Sequence, residues 1–248
     1  MNRKLVRGIG LAVGVGMLLA WAVLQGLAWP ARAFTTFLLV PLPALMLLQL
    51  RLVDRLPDDD DREAVYLSSA LTIWLLAGLA MLAARFSGFS RADLWLRSPG
   101  IGLLLGATAV TTAAGLALMA LARLLRIRET PLIHFLLPRT ASERIAFAGL
   151  SVSAGIAEEL VFRAFLIAAL LEAGASLGAA VGISIAVFAV AHAYQGLLGV
   201  ARVALLGALL TAPLLLVESV YPAMLAHALL DLLAGLVLAD WLTGKREH

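Results

Sequence analysis

Seven side chains able to do chemistry sit inside or at the ends of apolar stretches in the C-terminal part of this sequence: Glu158, Glu159, Arg163, His192, Arg202, His227 and Asp231. A carboxylate or guanidinium at mid-bilayer costs roughly 2.5–3.5 kcal/mol on insertion scales, so such groups turn inward and mark function. Glu159 and Arg163 stand at i and i+4 with the acid first, the favourable order for a helical ion pair. The bland reading of that pair is a structural network tying helices together. Glu158 points about 100° away on an ideal helix. It is the carboxylate left free to take a proton as a general base. Phe188 and His192 share a helix face, as do His227 and Asp231. One carboxylate with two imidazoles suits either of two jobs: activating a water and stabilising the oxyanion, or binding a divalent metal that does both. Asp231 then orients His227, completes a metal shell, or donates to the oxyanion if protonated. The reaction class is hydrolysis inside a membrane.

The elements that must position these groups follow from composition. The chain has 248 residues, 62% apolar and 14% charged, against roughly 45–50% and about 25% in an ordinary soluble domain. That balance excludes a water-soluble fold. No contiguous hydrophilic block is large enough for a soluble domain on a single anchor. The fold class is all-α, a polytopic transmembrane helix bundle of about eight spans. Nearly uncharged runs place them at about 8–29, 33–50, 64–84, 100–122, 145–171, 175–194, 197–217 and 221–241. Each is near the roughly 20 residues that cross a 30 Å hydrocarbon layer. The run at 33–50 is the shortest and carries Pro41 and Pro43. The absence of cysteine excludes disulfides, a thiol nucleophile and cysteine-ligated metal.

With eight spans, both termini share a side. The loops of that side hold 13 of the 19 basic residues, the opposite loops hold Arg32, Arg85, Arg91 and Arg97, and Arg163 and Arg202 fall inside spans. Both termini are therefore expected in the cytoplasm. A signal peptide competes for the first 30 residues, but the uncharged run from Gly8 to Ala31 is longer than a signal core of about 7–15 residues. The segment is expected to be retained. The use of 17 Arg against 2 Lys, with abundant Ala, Leu and Gly, leans toward a GC-rich bacterial genome and an inner-membrane location.

Function divides along the chain. Residues 1–128 read as a transmembrane scaffold of four spans without central ionisable residues, and 129–139 as a cytoplasmic or interfacial connection. Residues 140–243 read as the catalytic membrane core, and 244–248 as a basic cytoplasmic tail. Thr140-Ala-Ser-Glu143 matches a capping box that starts a helix. The run Asp58–Asp61 reads as a solvated loop rather than a metal site, because adjacent aspartates repel and nothing folds them round an ion.

Three short patterns carry a resemblance. Glu158-Glu-Leu-Val-Phe-Arg163 resembles EExxxR, Phe188-Ala-Val-Ala-His192 resembles FxxxH, and His227-Ala-Leu-Leu-Asp231 resembles HxxxN/D. They occur in the order found in the CPBP, or Abi, intramembrane proteases. That family comprises type II CAAX prenyl endopeptidases and bacteriocin-processing and bacteriocin-immunity proteins. The resemblance covers about residues 140–240.

It implies an endopeptidase that cleaves near the C-terminus or leader of a membrane-associated protein or peptide. Glu158 would be the base, His192 would help activate water, and His227 and Asp231 would stabilise the tetrahedral intermediate. Glu159, Arg163 and Phe188 would shape the site. The family has been described both as metal-independent glutamic proteases and as metalloproteases. The second description would place a divalent metal such as zinc on Glu158, His192, His227 and Asp231. Asp231 stands where the motif more often has Asn, a neutral donor. The implied partners are a membrane-associated substrate and the lipid bilayer, with no nucleic acid. CAAX processing itself requires a prenylated cysteine near the substrate's C-terminus. In a bacterial setting a bacteriocin leader or the membrane tail of a surface-sorted protein fits better.

Two alternatives stand beside the protease: a non-enzymatic immunity or interaction protein, and a proton-coupled transporter. The transporter is disfavoured because ionisable groups crowd one half and no matched repeat appears. One conflict also remains in the span count. Ideal spans put His192 about 25 Å below the outer surface and His227 about 9 Å, too far apart for one site. A long or tilted helix at His192, or an incomplete crossing at 196–218, would reconcile them.

Overall fold

The computed structural model describes residues 3–50, 62–125 and 130–243. The Asp58–Asp61 run, part of the 129–139 connection and the tail 244–248 lie outside the described residues. Among the described residues the chain is an all-α membrane bundle without strands. Each of the eight apolar runs coincides with a helical stretch. Those at Trp29–Gln49, Arg62–Phe86, Ile101–Leu124 and Ala193–Val217 are long and apolar enough to cross a bilayer, whereas Gly8–Val23, Leu177–Ala191 and Tyr221–Val237 are shorter.

The first half is plain helix. It consists of α1 (Arg3–Val23), α2 (Trp29–Leu39), α3 (Pro41–Gln49), α4 (Arg62–Phe86) and α5 (Ile101–Leu124). α2 and α3 are one apolar run broken at Val40, where Pro41 opens α3. Proline supplies no N–H to continue the ladder and is tolerated in the first turn. Exposed Leu18, Leu71, Val110 and Leu216 cover the lipid-facing surface.

The 129–139 connection is tied down at its C-terminal end. The short α6 (Pro131–Phe135) is followed by α7 (Ala141–Glu158), whose capping box forms as its sequence requires. The Thr140 hydroxyl accepts from the Glu143 amide at 3.1 Å, and the Glu143 carboxylate accepts from the Thr140 amide at 3.1 Å. Arg62, buried at the start of α4, donates to the Phe135 carbonyl at 2.7 Å and lies 3.5 Å from Glu143. The Tyr66 hydroxyl donates to the Leu136 carbonyl at 3.0 Å. The scaffold thereby holds both the connection and the first turn of the core.

The core departs from ideal helix where the candidate site residues lie. α7 runs into a π-helical stretch, Glu159–Leu166, and then α8 (Ile167–Glu172). π turns are rare and recur at functional sites, since they widen the helix and free backbone groups. Here the Phe162 carbonyl is satisfied from outside the helix, accepting from the Ser184 hydroxyl at 2.7 Å. α9 (Leu177–Ala191) leads through a 3-10 turn at Ala193–Gln195 into α10 (Gly196–Val217). α11 (Tyr221–Leu232), a second π stretch at Leu233–Val237 and α12 (Ala239–Thr243) complete the chain.

His192 and His227 nevertheless line one cavity, and neither a longer helix at His192 nor an interrupted 196–218 stretch is what brings them together. α10 is an uninterrupted helix of 22 residues despite Pro213, so the 196–218 stretch is not a partial crossing. α9 is not long: its 15 residues span about 22 Å, less than the hydrocarbon layer. The start of α11 is set by the 87–100 loop. The Ser219 hydroxyl donates to the Arg97 carbonyl at 2.7 Å, and the Val220 amide donates to the Trp95 carbonyl at 3.1 Å. Ideal spans assume that every helix ends at the surface, and these two do not span ideally.

α7 and α11 approach closely because Gly155 has no side chain. A Cβ there would lie 2.6 Å from the Ala228 amide nitrogen and 2.8 Å from the Met224 carbonyl oxygen. Small residues let helix backbones meet in lipid, where packing replaces the hydrophobic drive. Gly155→Ala is expected to destabilise the protein by about 1–3 kcal/mol through overpacking. Thermal unfolding in detergent checks this against Gly149→Ala, where a Cβ meets nothing within 4 Å.

Candidate functional site

The three motifs converge. Glu158 ends α7, Glu159 and Arg163 lie in the π stretch, His192 follows α9, and His227 and Asp231 lie one turn apart in α11. Their meeting point is the His227 ring. Its Nδ1 lies 2.9 Å from Glu159 Oε1, and its Nε2 lies 3.8 Å from Glu158 Oε2 and 3.7 Å from Asp231 Oδ2. A carboxylate accepts, so Nδ1 carries the proton donated to Glu159. Nε2 is turned toward the other two acids.

The two adjacent glutamates are divided by burial. The Glu159 side chain is wholly enclosed, while 16% of the Glu158 side chain is exposed. Glu159 Oε1 also pairs with Arg163 Nη1 at 3.1 Å, as their spacing predicts. Oε2 of Glu159 is buried without a hydrogen-bond partner. Arg163 is clamped on its remaining sides. Its guanidinium lies 4.1 Å from the Phe188 ring centroid, and its Nη2 donates to the Gly207 carbonyl at 3.4 Å. Gly207 keeps this corner open: a Cβ would stand 3.2 Å from Arg163 Nη2 and 3.3 Å from Phe188 Cδ1, so those side chains would have to shift by a few tenths of an ångström.

Phe188 is the common wall of the site. Its ring centroid is 4.7 Å from that of His192 and 6.2 Å from that of His227, and the latter contact is edge-to-face. The FxxxH spacing therefore gives His192 more than a shared face. Nδ1 of His192 lies 2.8 Å from the Phe188 carbonyl, so it is the protonated nitrogen, and Nε2 is left as the acceptor. Both rings are thus oriented by an acceptor at Nδ1.

Glu158, His192, His227 and Asp231 line one cavity of about 720 Å³. It extends past Ile73, Leu76 and Leu132 to the scaffold helices and the α6 segment, so polar groups occupy one part of a largely apolar space. Tyr194, Gln195 and Arg202 also line it. The first two were not singled out in the sequence, although both stand in the polar interruption just after His192. Gly155 and Gly207 were missed as well, because tight packing across helices leaves no local pattern.

The zinc expectation can be set against this geometry. Among the described residues, no three of His, Cys, Asp and Glu are grouped as a metal site requires. Glu158, His192, His227 and Asp231 share a cavity without forming such a group.

Removing one member of the buried pair strands the other. Glu159→Ala is expected to destabilise by about 3–5 kcal/mol, because Arg163 is left as an uncompensated buried charge. Glu158→Ala, at a partly exposed carboxylate, is expected to change stability far less. Thermal unfolding of the two variants side by side checks the difference.

Comparison with known proteins agrees with the motif geometry. Residues 140–233 match the family model described as type II CAAX prenyl endopeptidase Rce1-like. Searches of curated proteins and of solved structures returned no match. The matched segment begins at the capping-box threonine of α7 and ends just beyond Asp231, and so contains all three motifs. Residues 140–233 are thus similar to the type II CAAX prenyl endopeptidases, a match that supports membership of the CPBP family.

Proposed function

We propose that this protein is an intramembrane endopeptidase that hydrolyses a peptide bond near the C-terminus or leader of a membrane-associated protein or peptide, using water activated by Glu158 and His192. The observation that carries the reading is the placement of His227, hydrogen-bonded to Glu159 through Nδ1 and facing Glu158 and Asp231 through Nε2. Glu158 is the general base: it takes a proton from the water as the oxygen attacks the scissile carbonyl carbon. The resulting tetrahedral carbon bears an oxyanion, to which His227 donates from Nε2 as an imidazolium. Glu158 then returns the proton to the leaving amine as the C–N bond breaks, giving one new amine and one new carboxylic acid, which loses its remaining proton to water. His192 accepts from the same water at Nε2. Glu159 and Arg163 act through His227 by holding its ring and tautomer, a positioning role.

Asp231 in this scheme faces the oxyanion and helps as a donor only when protonated. Asp231→Asn supplies a permanent neutral donor and is expected to keep cleavage within about tenfold of the parent, since a single oxyanion contact is preserved. Glu158→Ala and His192→Ala are each expected to lower kcat by about 10²–10⁴-fold, the range of general acid–base contributions. The measurement is cleavage of membrane-tailed peptides by purified protein in liposomes, with thermal unfolding as the control for folding. Full activity of the chain with Glu158→Ala would overturn the enzymatic reading in favour of an immunity or interaction protein. Loss of cleavage on chelation, restored by zinc, would overturn the metal-free step.

A further inference from the structure

Tyr194 stands in the 3-10 turn Ala193–Gln195, just after His192, and lines the same cavity as Glu158, His192, His227 and Asp231. Its ring centroid lies 5.8 Å from that of His192, with the two planes tilted by 37°. Phe188 is the other aromatic neighbour of that imidazole and also meets His227, so Tyr194 joins the ring cluster that contains both histidines. The Tyr194 hydroxyl accepts from Gln195 Nε2 at 3.4 Å, and among the described residues no group accepts its own proton. The other two tyrosines are engaged elsewhere: Tyr66 donates to the Leu136 carbonyl, and the Tyr221 hydroxyl accepts from Arg91 at 3.2 Å. Among charged groups, Glu158, Asp231 and Arg202 act on the Tyr194 hydroxyl, which sets it beside the acids of the site.

Peptide hydrolysis in this cavity builds an oxyanion next to Asp231, whose Oδ2 lies 3.7 Å from the His227 nitrogen that faces the reaction. An ionised carboxylate there repels the new charge and offers it no hydrogen bond. A phenol supplies what is missing: it is neutral, keeps its proton at neutral pH, and its hydrogen bond to an oxyanion is of the strong, charge-assisted kind. The Gln195 amide strengthens that donation, because hydrogen bonds in a chain polarise one another. We propose that Tyr194 is a catalytic residue whose hydroxyl donates to the oxyanion of the tetrahedral intermediate, as the neutral donor that Asp231 in its ionised form does not provide. The phenol keeps its proton throughout, so the transfer from water to Glu158 and on to the leaving amine is unchanged. This inference rests on the proteolytic reading of the same site and gives the oxyanion a second donor besides His227.

The test uses full-length protein in liposomes and a membrane-tailed peptide, with thermal unfolding as the check on folding. Tyr194→Phe removes one oxygen and keeps the ring. It is expected to lower kcat about 10²-fold while KM changes little, the signature of a donor used only in the transition state. In the Asp231→Asn background, where a neutral donor is already present, the same substitution is expected to cost about tenfold or less. A measurement with Tyr194 in place guards against a variant that fails to fold: in protein carrying fluorotyrosine, the fluorine NMR signal of Tyr194 is expected to move when a peptide phosphinate, an anion shaped like the tetrahedral intermediate, binds. Tyr66→Phe and Tyr221→Phe identify the other two signals. A folded Tyr194→Phe protein with the parent's kcat overturns the assignment and leaves the protease standing. So does a loss confined to KM, a loss of equal size in the Asp231→Asn background, or a Tyr194 signal unmoved at phosphinate concentrations that stop cleavage. A parent protein that cleaves no peptide overturns the proteolytic reading and this inference with it.

Discussion

One carboxylate oxygen holds the site together. Oε1 of Glu159 forms an ion pair with the Arg163 guanidinium within its own helix and accepts a hydrogen bond from the His227 imidazole across the bundle. Glu159 and Arg163 are sealed from solvent and His227 nearly so. Two charges in such a place offset their desolvation chiefly by meeting each other in good geometry, and Glu159 Oε2 still has no hydrogen-bond partner. Much of the surrounding structure can be understood from that demand. Phe188 covers the guanidinium, the Gly207 carbonyl receives its second arm, and the absence of a Cβ at Gly207 gives both room. The same oxygen sets the His227 tautomer, so the structural pair and the reactive imidazole are one network.

The backbone around this network is irregular where an ordinary helix would not serve. The π stretch begins at Glu159, the residue after the free acid, and separates a buried glutamate from one that reaches the cavity. A freed carbonyl inside a membrane is tolerated only when protein satisfies it. The Ser184 hydroxyl on α9 does so at Phe162, locking the helix of His192 against the helix of the glutamates. On the opposite side, Gly155 lets α11 come close enough for His227 to reach Glu159. The N-terminal helices supply apolar walls for the cavity and, through Arg62 and Tyr66, hold the connection that precedes α7.

Features that depend on neighbours along the chain were legible. The capping box at Thr140–Glu143 and the Glu159–Arg163 pair form as their spacing predicts, and every apolar run is helical. Legibility ended where a partner lies far away in sequence. Asp231 had been offered as the group that orients His227, being one turn away, but it stands at 3.7 Å while Glu159, 68 positions distant, makes the hydrogen bond at 2.9 Å. The π stretch was equally invisible, because no local pattern marks it; the Ser184 hydroxyl that donates to the Phe162 carbonyl within it comes from another helix. Counting ideal spans even separated the two histidines, since it assigned each helix a full crossing that α9 does not make.

The sequence by itself determined the membrane setting, the helical class and which ionisable groups are candidates for the site, because hydropathy, helical period and residue chemistry are local properties. It also determined which glutamate is paired within its own helix. Only the tertiary structure decided that this pair extends to His227, that Phe188 serves as the wall for both histidines, and that Arg202 joins the cavity through Gln195. Those relations require backbones to approach across the bundle. In a membrane that approach is governed by small residues such as Gly155 and Gly207 and by satisfied backbone groups such as the Phe162 carbonyl.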